Sequence, residues 1–169
     1  QALATARQLG HPQFVARCLN LLAYVYSHLR RWETVELYAT EASRLYAAAG
    51  DRVLEADSQR VVGWSQAYCG QPRQSLVTLQ ATLRFSQQIE NLWGQAECAS
   101  RLAHTWRELG HYGHAISLAR QGVKQTRMVG HPAMGVLALS TCGATQRTMM
   151  DLASAQATLF EALSASTAQ

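Results

Sequence analysis

Acidic residues are scarce in this sequence: eleven Asp and Glu stand against fifteen Lys and Arg, for a net charge of +4 and a pI near 9.1. The surplus is almost all arginine, since Lys124 is the single lysine. No run of five like charges occurs, and the basic residues are spread along the chain. A nucleic-acid footprint gathers such residues on one stripe, so the pattern points away from DNA or RNA as a partner of this segment. There are only three prolines and no Gly/Ser-rich or low-complexity stretch, which argues against a linker and a second domain. No apolar run reaches the length needed to cross a bilayer, so no membrane partner is expected. Strand-type alternation is missing throughout.

Chemical motifs are missing as well. There is no GxSxG, no HExxH, no phosphate-cradling GxxxxGK[ST], no helix-turn-helix and no paired-carboxylate arrangement. His111 and His114 form an HxxH at an expected helix start, but a zinc site needs three or four ligands and no Cys or acid has a supporting spacing. His111 shares its position with Gln71, and His11 and His131 are matching residues of two Gly-His-Pro turns, so these histidines read as turn residues. No catalytic residue, metal site or cofactor is therefore expected. The four cysteines, Cys18, Cys69, Cys98 and Cys142, make no CxxC pair. Cys18 and Cys98 fall in one column of small apolar residues. They read as buried reduced thiols in a reducing, cytoplasmic setting.

What the sequence does contain is a period of forty. Ala23, Gly63, Ala103 and Gly143 form one column of small residues. Val35, Ser75, Ala115 and Ala155 form a second, and Ala42, Thr82, Gly122 and Ala162 a third. A fixed period of this length marks a stacked helical repeat array. Turn signals divide each period in two: Gly10-His11-Pro12, Gly50-Asp51, Glu90-Asn91 and Gly130-His131-Pro132 alternate with Arg30-Arg31, Gly70-Gln71-Pro72, Gly110-His111 and Met150-Asp151. Gly suits the residue past a helix end and Pro the first turn of the next helix. Asp51, Asn91 and Asp151 suit N-caps.

Each unit then reads as two helices of about seventeen residues. Leu19, Leu22, Ala23, Tyr26 and Leu29 share one face of the first helix. The face recurs as Val62, Gly63 and Cys69, as Leu102, Ala103, Trp106 and Leu109, and as Leu139, Cys142, Gly143 and Met149. Second helices offer Val35, Ala39, Ala42 and Tyr46, then Leu76, Leu79 and Leu83. The expected fold is all-α: a right-handed superhelical solenoid of antiparallel helix pairs, in about four repeats. Residues 1–10 read as the end of a preceding helix, followed by repeats at 11–50, 51–90, 91–130 and 131–169 in a single domain. Both ends look cut, as expected of a piece of a larger protein, and exposed array ends could self-associate.

Three small columns, a large residue at Tyr26 and Trp106, and a turn between the helices resemble the tetratricopeptide repeat. Gln66 and Gln146 depart from the large-residue position, and the period is forty where that family has thirty-four. The longer unit, with phrases such as LATARQLGHP, LYAAAGD and LARQGVKQTRMVGHP, is similar to the repeats of MalT-like bacterial regulators. Comparable arrays follow the ATPase modules of large signalling proteins, including LuxR-type activators and class III adenylate cyclases. The resemblance implies a non-catalytic sensor or interaction arm that binds a protein or peptide, or a small inducer. A stand-alone scaffold clasping a partner peptide is the alternative.

The resemblance also implies a concave binding face made by the first helices. Carried onto this sequence, that face comprises Arg17, Asn20, Tyr24, Ser27 and His28, then Asp57, Arg60, Trp64, Ala67 and Tyr68. The third set is Glu97, Ser100, His104, Arg107 and Glu108, and the fourth Leu137, Ser140, Ala144, Arg147 and Thr148. Binding is expected to centre on Arg17, Asn20, Tyr24, His28, Arg60, Trp64, Tyr68, His104, Arg107 and Arg147, with Arg60, Trp64 and Arg107 as anchors. Two alternatives stay open: Tyr24, Trp64 and Tyr68 could serve only as packing between helices, and Asp57, Glu97 and Glu108 could cancel the arginine charge.

Overall fold

A computed structural model describes residues 1–130 and 132–167, with helix backbone alone for 132–134. His131 and residues 168 and 169, the outer positions of the fourth expected repeat, lie outside the described residues. The described residues form helices joined by tight turns, with no strand among them. After the short α1 (Ala2–Gln8) come α2 (Pro12–His28), α3 (Trp32–Ala48), α4 (Arg52–Tyr68) and α5 (Pro72–Gln88). They are followed by α6 (Leu92–Glu108), α7 (Tyr112–Val129), α8 (Pro132–Thr148) and α9 (Leu152–Thr167). From α2 onward the helices start at twenty-residue intervals, so each forty-residue period holds one hairpin of near-equal arms. None of the described helices is long and apolar enough to cross a membrane.

The punctuation works as its chemistry dictates. Asp51 Oδ1 accepts from the Leu54 N–H at 3.1 Å, Asn91 Oδ1 from Gly94 at 3.0 Å, and Asp151 Oδ1 from Ser154 at 3.2 Å. Each satisfies an N–H that the first helical turn leaves open. At the exit of each helix from α1 to α8 the chain takes one residue into the left-handed region. Gly10, Gly50, Gly70, Gly110 and Gly130 do so at φ between 65° and 79°, while Arg30, Glu90 and Met150 occupy the same junction at 56°, 54° and 61°. The turn is thus imposed by the repeat, and glycine serves it in most copies.

The chain divides into two compact units, residues 1–89 and 90–169. In the first, α1 packs on α2, α2 on α3, α3 on α4 and α4 on α5; in the second, α6 packs on α7, α7 on α8 and α8 on α9, with α6 also against α8. All three small-residue columns are buried. The first column splits by parity. Ala23 packs with Ala39, and Ala103 with Ala119. Gly63 instead faces Leu79 and Gly143 faces Leu159, so closely that a Cβ added to either glycine would lie 2.6–2.7 Å from the leucine Cγ. Two hairpins thus use an Ala–Ala contact, and two a Gly–Leu contact, in which bulk on one helix meets a missing side chain on the other.

Some expected core positions are open. Leu29 is 62% and Met149 43% exposed, because each has passed the last helical residue, where the periodic face no longer applies. Cys98 and Cys142 are buried free thiols as expected, but Cys18 and Cys69 are only half-buried. Cys69 caps α4 and so lies at the end of its face.

Candidate binding face

In unit 1 the expected face lies on α2 and α4, and Asp57 organises its centre. The Asp57 carboxylate accepts from Asn20 Nδ2 at 3.1 Å and from Tyr24 Oη at 3.2 Å. Arg60, one turn along α4, donates from Nη2 to both Asp57 and the Tyr24 hydroxyl. Arg60 is 2% exposed, so this charge is held inside the wall. Burial alone pushes the Asp57 carboxyl up. The Arg60 charge and the hydrogen bonds from Arg60, Asn20 and Tyr24 outweigh it and hold the group below the ordinary carboxylate range.

One turn further along α4 the face becomes aromatic. The Tyr68 ring stacks on Trp32, with centroids 4.4 Å apart and planes 16° from parallel, and Trp64 meets Trp32 edge-on at 5.4 Å. Trp64 and Tyr68 are themselves 6.2 Å apart, edge to face. Tyr68 is 39% exposed, so the cluster is packed at its base and open at its rim. Arg17 and His28 are exposed at other points of α2.

In unit 2, Arg107 donates to Glu108 at 3.1 Å, and His104 Nε2 lies 4.0 Å from the same carboxylate. Burial, and then the Arg107 charge, hold the His104 imidazole below its ordinary pKa, although Glu108 pulls the other way. Glu97 is buried, 3.9 Å from Arg101. Arg147 is exposed in the last turn of α8. The acids among the expected face residues thus lie against arginines: Asp57 against Arg60, Glu97 against Arg101 and Glu108 against Arg107. His111 and His114 pack against Trp106 at 5.2 and 5.0 Å between centroids. No cluster of three or more metal-ligating side chains occurs among the described residues.

Trp32 is the residue the sequence pattern misses. It opens α3, and the equivalent positions hold Pro72, Tyr112 and Leu152, so no column announces it. The Asp57–Arg60 pair does carry a signal, the i, i+3 spacing on one helix.

No protein-family model and no curated protein matches the sequence. Solved structures do match its fold. The structure of Rap protein complexed with competence and sporulation factor aligns with a TM-score of 0.79 at 15% identity, over 94% of this chain and 44% of that one. BtubC (BKLC) from P. vanneervenii aligns at 0.72 and 15% identity, over 93% of this chain and 65% of that one. A signal transduction ATPase with numerous domains and a tetratricopeptide repeat sensor, from Pyrococcus horikoshii, also aligns at 0.72 and 15% identity. There the match covers 96% of this chain and 25% of the other. The chain therefore spans from a quarter to about two-thirds of these structures. At such identity the likeness shows the fold, an all-α helical repeat of tetratricopeptide type.

Proposed function

We propose that this chain is a non-catalytic binding module, the sensor or interaction arm of a multidomain regulator, which takes a protein or peptide partner or a small inducer. The reading rests chiefly on the face of α2 and α4. There a rigid aromatic cluster with an open Tyr68 rim adjoins a fixed Asn20–Tyr24–Asp57–Arg60 network. Aromatic residues with few rotamers, held by packing and set beside oriented polar groups, are the usual anchors of an interface. Tyr68, Trp64, Arg17 and His28 are assigned the contacting role in unit 1, and His104, Arg107 and Arg147 in unit 2. Asn20, Tyr24 and Arg60 hold the wall in position. Two structural relatives lend support by analogy: one was solved with competence and sporulation factor, and another carries its tetratricopeptide repeats as a sensor.

The test is selection of a random peptide display library on the immobilised chain, with a Tyr68→Ala/His28→Ala variant as counter-target. Both side chains are exposed, so the variant should keep its fold. Enrichment of peptides that bind the native chain and lose at least roughly tenfold in affinity on the variant supports the reading. Peptides that bind both alike would refute the role given to Tyr68 and His28, and no enrichment at all would refute a peptide partner.

A further inference from the structure

Two glutamines eighty residues apart have different surroundings. In unit 1, Gln66 on α4 is satisfied on both sides: Nε2 donates to Glu36 Oε1 of α3 at 3.0 Å, and Oε1 accepts from Thr78 Oγ1 of α5 at 2.8 Å. In unit 2 the matching residues are Gln146 and Thr158, but Ile116 stands where Glu36 would be. Gln146 is 7% exposed, and its buried Oε1 has no hydrogen-bond partner. A buried polar atom in that condition costs about 1–3 kcal/mol.

The space around it is open and basic. Gln146 and Thr158 line a cavity of about 560 Å³ between α7, α8 and α9, within the size range of small-molecule sites. Arg120, Lys124 and Arg127 enter it from α7 at i, i+4 and i+7, one helix face. Glu161 of α9 is the one carboxylate among the described lining residues, and it is paired with Arg127 at 2.6 Å. Val123 and Leu139 supply apolar wall. The repeat fold does not demand this charge, since Thr40, Arg44 and Ala47 occupy the matching positions of unit 1.

We propose that this cavity is a second binding site, for a small organic anion with an apolar body and a hydrogen-bond donor. The anionic group is flanked by Arg120 and Lys124, and the donor satisfies Gln146 Oε1, the atom whose counterpart in Gln66 accepts from Thr78. The site is independent of the α2–α4 face, so either can stand without the other.

The probe is 8-anilinonaphthalene-1-sulfonate, an anion with an apolar body and an N–H donor that brightens in such a pocket, titrated into the 169-residue chain. Saturable binding is expected to weaken by roughly tenfold or more in Arg120→Gln/Lys124→Gln. Gln146→Leu, which removes the acceptor, should weaken it likewise. Arg44→Gln, the matching cation of unit 1, should leave it unchanged. Dye that binds the double variant as tightly as the native chain, shows no saturable enhancement, or is lost equally with Arg44→Gln would overturn the site. Arg120 and Lys124 are exposed, so the double variant decides the question even if Gln146→Leu unfolds. A Gln146→Leu chain that folds and still binds normally would remove Gln146 from the site.

Discussion

Gly63 on α4 faces Leu79 on α5 so closely that a Cβ on the glycine would stand 2.7 Å from the leucine Cγ. Leu79 is fully buried, so it cannot swing aside. Gly63→Ala is expected to destabilise unit 1 by about 1–3 kcal/mol through overpacking. Leu79→Ala alone leaves a cavity, at about 2–5 kcal/mol. Together they recreate the Ala–Ala contact that Ala23 and Ala39 make in the preceding hairpin, so the double variant should lose clearly less than the sum. Urea unfolding of the four proteins measures that coupling, and strict additivity would contradict the contact.

The same crowding applies where the column already holds alanine. Ala103 and Ala115 are fully buried, and Ala103→Leu or Ala115→Leu should each cost about 1–3 kcal/mol. An unchanged melting temperature in either would count against the close approach of the two helices.

Arg30, Glu90 and Met150 hold left-handed conformations that glycine holds elsewhere in the repeat. A side chain in that region costs about 1–2 kcal/mol, and glycine's extra unfolded entropy takes back about 0.5–1 kcal/mol. Met150→Gly and Arg30→Gly are therefore expected to raise the melting temperature modestly. Both side chains are exposed, so little packing is lost. A lowered melting temperature in both would contradict this view of the junction.

Two groups should give stability a pH dependence. The Asp57 pKa is lower folded than unfolded, so its contribution is present above the ordinary carboxylate value, near 3.8. It is lost as pH falls through the lower folded one. Asp57→Asn should flatten that acid limb, and at neutral pH it should cost about 3 kcal/mol by upsetting the buried Arg60 pair.

His104 also has a lowered folded pKa, but here the neutral form is favoured. As pH falls below about 6.5 the unfolded chain takes up a proton that the folded chain resists, so stability declines. His104→Gln should lose this component as pH falls from neutral through about 6.5. Parallel denaturation curves for variant and native chain across that interval would refute the shift.

The frame of the fold was legible because backbone demands repeat: small residues at helix crossings, a left-handed residue at each exit, short acceptors at helix starts. Twelve column positions and the twenty-residue spacing of turns follow from those demands. The Gly–Leu compensation was harder to read, since it pairs one column with a position where Ala and Leu alternate. The face was legible as a set of residues but not as a set of roles. A helix pattern places Arg60 beside Asp57, yet only the packing of α2 on α4 shows that this arginine is enclosed. Trp32 stayed hidden because it belongs to no column, although it supplies the surface on which Tyr68 stacks.

The most direct test of the binding reading is amide chemical-shift mapping of the native chain with a peptide selected on it. The expected result is a contiguous set of shifts on α2 and α4, running through Arg17, Tyr24, His28, Trp64 and Tyr68. Shifts confined to α3 and α5, with α2 and α4 silent, would contradict it.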